Sequence, residues 1–230
     1  MADFLTGLPL FGVALTFGAF QIGLWCQKKT KSALCNPILI GALLVIAVLL
    51  ITGVSPAVYD AQMTGISWLL TPATVCLAVP LHRHLKTLKK NLPAVIAGVV
   101  AGTLSSLVCI LLMCSLFALD RQFTVSLLPK SITTAIGIVL SEQNSGIPTL
   151  TFVSILITGI LGNLMGSFLC KCLRLTDPVS QGVAFGTASH LVGTTRAAEV
   201  HPIAGAVSSL SLVIAGILTA IVFPLIMLIL

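Results

Sequence analysis

Two short polar stretches lie inside segments that are otherwise apolar enough to enter a lipid bilayer. The first covers residues 129–134 (PKSITT), and the second covers residues 186–196 (GTASHLVGTTR). A charged side chain at membrane depth costs roughly 2.5–3.5 kcal/mol on insertion scales, so such residues usually mark a solute or ion pathway. These two stretches are therefore the candidate functional site.

The chemistry of the first stretch suits an anion. Pro129 removes a backbone donor and disfavours helical geometry in Leu128, so we expect a helix to break there. The amides at the start of the next half-helix form the positive end of a helix dipole, and Lys130 adds a full positive charge.

The second stretch offers a matching arrangement. Gly186, Gly193 and the hydroxyl residues around His190 predict an irregular, hydrogen-bonding backbone, and Arg196 can hold a carboxylate through two parallel hydrogen bonds. We predict that the two stretches meet near mid-depth and bind a small anion such as a carboxylate. The predicted lining consists of Lys130, Ser131, Thr133, Thr134, Ser189, His190, Thr194, Thr195 and Arg196.

Two carboxylates accompany these stretches. Glu142 and Glu199 are candidates for proton or cation coupling, because a carboxylate in a low-dielectric pocket binds a proton more readily than in water. Other interpretations of the basic residues stay open. Lys130 and Arg196 are long enough to snorkel to the membrane interface, and His190 can be a hydrogen-bonded core group rather than a proton carrier.

The composition excludes an ordinary soluble protein. Hydrophobic residues make up 57% of the 230 residues and charged residues 8%, against about 25% charged in a typical soluble domain. The mean hydropathy is +1.13. Apolar blocks such as residues 4–25, 93–119 and 203–230 reach the roughly 20 residues that a spanning helix needs, which argues against the short strands of a β-barrel.

The net charge of +6 arises mainly from short basic links at residues 28–31, 83–90 and 171–174. Basic links between apolar blocks are typical of cytoplasmic loops, and no nucleic-acid-binding motif accompanies them, so we expect a membrane protein with no nucleic-acid partner. The seven cysteines include no C-x-x-C pair, and neither G-x-S-x-G nor H-E-x-x-H occurs. We therefore expect no enzyme activity, metal site or cofactor.

The hydropathy pattern predicts an all-α polytopic membrane protein. We expect about six spanning helices and two opposed re-entrant or broken segments, at residues 124–144 and 183–200. The whole chain, 1–230, is predicted to be one domain, with scaffold spans in 1–119 and two broken-segment units in 120–230.

An internal sequence similarity supports two related units. Residues 156–162 (LITGILG) resemble residues 213–219 (VIAGILT), and each copy follows a segment rich in glycine, serine and threonine. Two such units in opposite orientation form the inverted repeat of many transporters. We predict alternating access in which the two broken-segment units move against a scaffold of the first four spans.

At these stretches the chain resembles the LrgB/CidB family of bacterial membrane proteins. The resemblance covers most of the chain and rests on PKSITT (129–134), GIP (146–148), GVAFGTASH (182–190), GTTRA (193–197) and GAVSSL (205–210). It implies transport of small monocarboxylates: pyruvate or lactate in bacteria, or glycolate and glycerate in the related plastidial translocator, whose C-terminal half is similar. The alternative that it implies is a holin- or antiholin-like regulator of murein hydrolase export and autolysis.

The resemblance also implies where the protein lies and what it binds. It implies a multi-pass protein of the bacterial plasma membrane, in contact with lipid, that acts with a small LrgA/CidA-like membrane protein. From the same reasoning we expect a homodimer and a small carboxylate substrate.

Overall fold

The computed structural model describes residues 10–30, 37–69, 72, 75–76 and 78–228. All regular secondary structure in these residues is helical. The contacts divide the chain into two compact units, Met1–Cys76 and Leu77–Leu230. The predicted division between 119 and 120 therefore lies inside the second unit, which holds both polar stretches.

In its described residues, the first unit contains three helices: α1 (Phe11–Thr30), α2 (Pro37–Thr52) and α3 (Pro56–Ser67). Helix α3 begins with Pro56 after the N-cap residue Ser55, an arrangement that suits a helix start because proline lacks the amide that would be unpaired there. Side chains of α3 hold α1. The Tyr59 hydroxyl lies 2.6 Å from that of Thr16, and the Gln62 side chain accepts a hydrogen bond from the Gly12 amide.

The second unit is built from seven helices among the described residues. They are α4 (Ala78–Arg83), α5 (Leu85–Leu116), α6 (Arg121–Leu127), α7 (Thr134–Gln143), α8 (Pro148–Cys172), α9 (Pro178–Val200) and α10 (Pro202–Met227). Proline opens α8, α9 and α10. Asp177 caps α9 by accepting from the Ser180 amide at 2.8 Å, and His201 caps α10 through the Ile203 amide.

Three stretches among the described helices are long and apolar enough to cross a membrane: Leu88–Leu116, Pro148–Cys172 and Pro202–Met227. Their outer faces carry large exposed apolar side chains, such as Val213, Ile217 and Ile221 at spacings of four residues on α10. Such a stripe suits contact with lipid. Helix α2 is apolar but shorter. The expected total of six spans and the inverted repeat stay predictions.

Small residues let α9 lie close to its neighbours. A Cβ at Gly186 would overlap the carbonyl oxygen of Ser208 on α10, so the two backbones meet there. On α5, Gly102 leaves room for the methyl group of Thr187, which would lie 2.9 Å from a Cβ at that position. This close packing places the polar stretch of α9 between α5, α8 and α10.

Both predicted breaks interrupt helices in the second unit. Between α6 and α7 the chain leaves the helix after Leu127 and becomes extended at Thr133, with φ −65° and ψ 142°. The expectation that Leu128 is non-helical was wrong, because Leu128 has φ −53° and ψ −45° and donates its amide to Thr124 at 3.1 Å. Leu128 is buried in the core, so packing outweighs the conformational effect of the following proline.

Candidate functional site

The first break places Lys130 beside two hydroxyl groups. The Lys130 ammonium donates to the Ser131 hydroxyl at 3.2 Å, and the Ser131 oxygen lies 3.4 Å from that of Ser106 on α5. The structure shows one ion pair among the described residues, Arg196 with Glu199. Lys130 is half-buried. Because that ion pair does not include Lys130, its ammonium group has no carboxylate partner in the described part of the chain.

A small cavity lies where this break meets α5, α9 and α10. We call it the hydroxyl cavity, because five of its lining residues carry hydroxyl groups: Thr103, Ser106, Ser131, Thr187 and Thr219. Leucine, isoleucine and alanine side chains form the rest of its wall. Its volume is about 10 Å³, which is room for about one water molecule.

Two hydroxyl groups of this cavity lack a partner. Thr103 Oγ1 and Thr187 Oγ1 are the buried side-chain oxygens or nitrogens with no hydrogen bond in the described residues. The two residues are only 5% and 6% exposed. An unsatisfied buried polar group costs about 1–3 kcal/mol, so both hydroxyl groups are available to a polar ligand in this cavity.

The second break begins at Ser189, two residues after Thr187. Ser189 has φ −132° and ψ 18°, and His190 has φ 41° and ψ −137°, so α9 is two helical segments joined by a kink. His190 is buried, and its Nε2 donates to the Ile155 carbonyl of α8 at 2.9 Å. This contact packs the kink against α8 through His190, while the role of His190 in anion binding or proton transfer stays a prediction.

Glycines on α8 accommodate this kink. A Cβ at Gly162 would overlap the Ser189 side chain, and a Cβ at Gly159 would lie 2.7 Å from His190 Nε2. Neither Ser189 nor His190 lines the hydroxyl cavity. Both side chains instead fill space that the α8 glycines leave.

The threonines after the kink make hydrogen bonds within the helix pair. The Thr194 hydroxyl lies 2.8 Å from that of Ser208 on α10 and donates to the His190 carbonyl. Thr195 is exposed and donates to the Val192 carbonyl. In the first stretch, Thr133 and Thr134 are half-buried at the start of α7, directly after the residues that line the cavity.

Arg196 lies in a different cavity. Its Nε donates to the Ser167 hydroxyl at 3.1 Å, and its Nη1 lies 2.7 Å from Glu199 Oε2. We call this opening the basic cleft, and its volume is about 200 Å³. Its lining residues are Ser167, Cys170, Lys171, Gln181, Phe185, Arg196 and Val200. It shares no lining residue with the hydroxyl cavity. A joint anion site of Lys130 and Arg196 stays a prediction.

The two candidate coupling carboxylates lie at the surface of the described chain. Glu142 is exposed near the end of α7, and Glu199 has a side chain 61% exposed beside Arg196. Of the predicted residues, only Ser131 lines the hydroxyl cavity, and only Arg196 lines the basic cleft.

Four lining hydroxyls were not among the predicted site residues: Thr103, Ser106, Thr187 and Thr219. A signal for two of them was present, because Thr103 and Ser106 are three residues apart and so share one face of an otherwise apolar helix. Thr187 belongs to the second polar stretch. Thr219 carries no local signal, since single hydroxyls are common in apolar helices and often bond to their own backbone.

Comparison with known proteins gives matches over nearly the whole chain. The sequence profile of the LrgB-like family matches residues 16–229. The holin-like protein CidB of Staphylococcus aureus (strain Mu50 / ATCC 700699) is 32% identical over 231 residues, 99% of each chain. The antiholin-like protein LrgB of Bacillus subtilis (strain 168) is 32% identical over 217 residues, 94% of each chain. No solved structure matches.

Proposed function

Because this chain belongs to the LrgB-like family, we propose that it is a holin- or antiholin-like protein of the bacterial plasma membrane that regulates murein hydrolase export and thereby autolysis. The observation that carries the proposal is similarity from end to end. Relatives named holin-like and antiholin-like are each 32% identical to the chain and align along nearly its entire length.

The geometry of the second unit supports a regulated opening. Helices α5 and α10 are long and apolar enough to span a bilayer, yet hydroxyl groups and the end of a broken helix lie between them. Polar groups at membrane depth are costly, so their presence there usually marks a pathway or a binding site. In the proposed mechanism, the described arrangement is the closed state, and separation at the two breaks exposes these hydroxyls to water.

The test is complementation in a Bacillus subtilis strain that lacks its own antiholin-like LrgB. We expect production of this chain to change both murein hydrolase activity in the medium, measured by zymography, and the rate of lysis after energy depletion. Gly186→Leu is the disruptive variant, because its side chain overlaps the α10 backbone. Gly18→Ala is the control, because a Cβ there has nothing within 4 Å. Lysis and hydrolase activity equal to those with an empty vector would contradict the proposal, provided that membranes contain the protein.

A second candidate function is transport of a small monocarboxylate, and the basic cleft favours it. Arg196 and Lys171 bring two cations to an opening of about 200 Å³, which suits a two- or three-carbon acid. Pairing of a carboxylate with the fork of Arg196 would compete with Glu199, the present partner of that arginine.

Uptake into proteoliposomes separates the two candidates. A carrier takes up labelled pyruvate or glycolate with saturation and competition by close analogues, and Arg196→Gln reduces uptake. Release of an enclosed dye without saturation indicates a pore instead. We also propose a small LrgA/CidA-like membrane partner and a homodimer, which co-purification and cross-linking in membranes test.

A further inference from the structure

We propose that the hydroxyl cavity binds one small monovalent anion of about the size of chloride. This inference concerns a site that neither the holin-like nor the transport proposal requires, and it can fail while either of them holds. It is carried by the two unpartnered hydroxyl groups of Thr103 and Thr187, each on a residue at least 94% buried at the same cavity.

The cavity lies beside the midpoints of two helices that are long and apolar enough to span a bilayer. Thr103 lies near the midpoint of the span Leu88–Leu116, and the lining residue Ala215 lies near the midpoint of Pro202–Met227. Polar groups at that depth must find partners inside the protein or a bound ligand. The described chain supplies none for the hydroxyls of Thr103 and Thr187.

The charges nearby determine the sign of the ligand. The Lys130 ammonium donates to Ser131, a lining residue, at 3.2 Å, and no carboxylate pairs with Lys130 in the described part of the chain. The lining residues include no aspartate, glutamate or histidine. Hard cations prefer carboxylate and carbonyl oxygens and would be repelled by the ammonium group. An anion would be attracted by it.

The start of α7 follows the cavity lining in the chain. Ser131 and Ile132 line the cavity, and α7 begins at Thr134. The first amides of a helix have no partner within the helix and carry partial positive charge, which favours an anion. The break between α6 and α7 therefore delivers the Ser131 hydroxyl to the cavity wall, with the Lys130 ammonium hydrogen-bonded to that hydroxyl and the start of α7 three residues further along the chain.

The size of the cavity determines the class of anion. Room for one water molecule accommodates a single atom, whereas sulfate, gluconate or a three-carbon carboxylate needs several times that volume. Unlike a water molecule, which accepts about two hydrogen bonds, a halide accepts from several hydroxyl groups at once. Thr103, Thr187 and Thr219 can each turn a hydroxyl hydrogen toward it, and so can one of Ser106 and Ser131, since the other donates within their mutual contact.

The first experiment measures thermal stability of the full chain in detergent. Sodium gluconate is replaced stepwise by sodium chloride or bromide at constant ionic strength, with sodium sulfate as a second comparison. Binding to the folded state raises Tm, so we expect a saturable rise with either halide and none with sulfate. Equal Tm values in gluconate, sulfate and both halides would overturn the proposal.

A pair of variants ties the response to the cavity. Thr187→Val keeps the side-chain shape and removes the hydroxyl, so the halide response should fall at least tenfold in apparent affinity. In gluconate the same variant should be as stable as the unmodified protein or more so, because an unpaired buried hydroxyl is removed. Thr124→Val is the matched control, since Thr124 is equally buried but bonds to the Asp120 carbonyl outside the cavity. If Thr187→Val does not fold, Thr103→Val takes its place in this test, with the same expected loss of the halide response.

Crystals of the unmodified protein grown in bromide give the direct test. We expect an anomalous peak inside the hydroxyl cavity, within hydrogen-bond distance of the Thr103 and Thr187 hydroxyls. An ordered water there, without anomalous signal, would refute the anion and leave the cavity a hydration site. An unchanged halide response in Thr187→Val and Thr103→Val would refute it as well.

Discussion

The contact between α8 and α9 can be tested by adding a single carbon atom to α8. Gly162 lies against the kink of α9, and a Cβ at this position would overlap both the hydroxyl and the Cβ of Ser189. Rotation of Ser189 moves its hydroxyl but leaves its Cβ in place. Gly162→Ala therefore forces α8 and α9 apart or distorts the kink at Ser189 and His190.

The magnitude follows from two opposing effects. Overpacking costs about 1–3 kcal/mol, and this site lies at the upper end because the overlap involves atoms fixed by the backbone. Replacement of glycine by alanine inside a helix stabilises the folded state by about 1 kcal/mol. We expect Gly162→Ala to lower the free energy of unfolding by about 2 kcal/mol. For a chain of this size that corresponds to a fall in Tm of roughly 4–8 °C.

A double-mutant cycle identifies the cause. With Ser189→Gly, the atom of residue 189 that remains nearest to the new carbon is Cα at 3.6 Å, an ordinary contact. Gly162→Ala should then be neutral or stabilising by up to about 1 kcal/mol, which gives a coupling free energy of about 3 kcal/mol. The assay is thermal unfolding in detergent, with Gly18→Ala as control because it has open space around it. The reasoning is refuted if Gly162→Ala alone leaves Tm unchanged, or if Ser189→Gly does not rescue it.

Substitutions at three further positions test other contacts, each by thermal unfolding in detergent. Glu199→Gln should change stability by less than about 1 kcal/mol, because its ion pair with Arg196 is largely exposed; a larger loss would show that the pair is structural. Thr194→Val should cost about 1–3 kcal/mol, since it leaves the buried Ser208 hydroxyl without that partner; unchanged Tm would contradict this contact. Asp177→Ala should cost about 1 kcal/mol through loss of the α9 cap, and Asp177→Asn should restore most of it.

The positions of the two helix breaks could be predicted because their causes are local. Pro129 cannot donate a backbone hydrogen bond, and the string of small and hydroxyl residues around Ser189 favours irregular backbone. The break between α6 and α7 and the kink within α9 lie at these stretches. The detail at Leu128 was not predictable from its neighbour alone, because its burial in the core keeps helical angles that proline disfavours.

The grouping of the site residues could not be predicted in the same way. Lys130 reaches Ser131 beside the hydroxyl cavity, whereas Arg196 lines the basic cleft with Lys171. Sequence reasoning treats all polar residues of a stretch as facing one place. On a helix, however, residues a few positions apart face different neighbours, and only the rotation of the helix decides which.

The amino-acid sequence by itself determined the class of this protein: its low charge, long apolar blocks and two interrupted helices follow from composition and from chemistry within a few residues of each break. Only the tertiary structure decided which polar groups meet. Thr187 turns its methyl group toward Gly102 on α5, while His190, three residues later, bonds to Ile155 on α8. The physical reason is that contacts between helices depend on how closely and at what rotation their backbones approach, and the small residues that set this approach lie far apart in the chain.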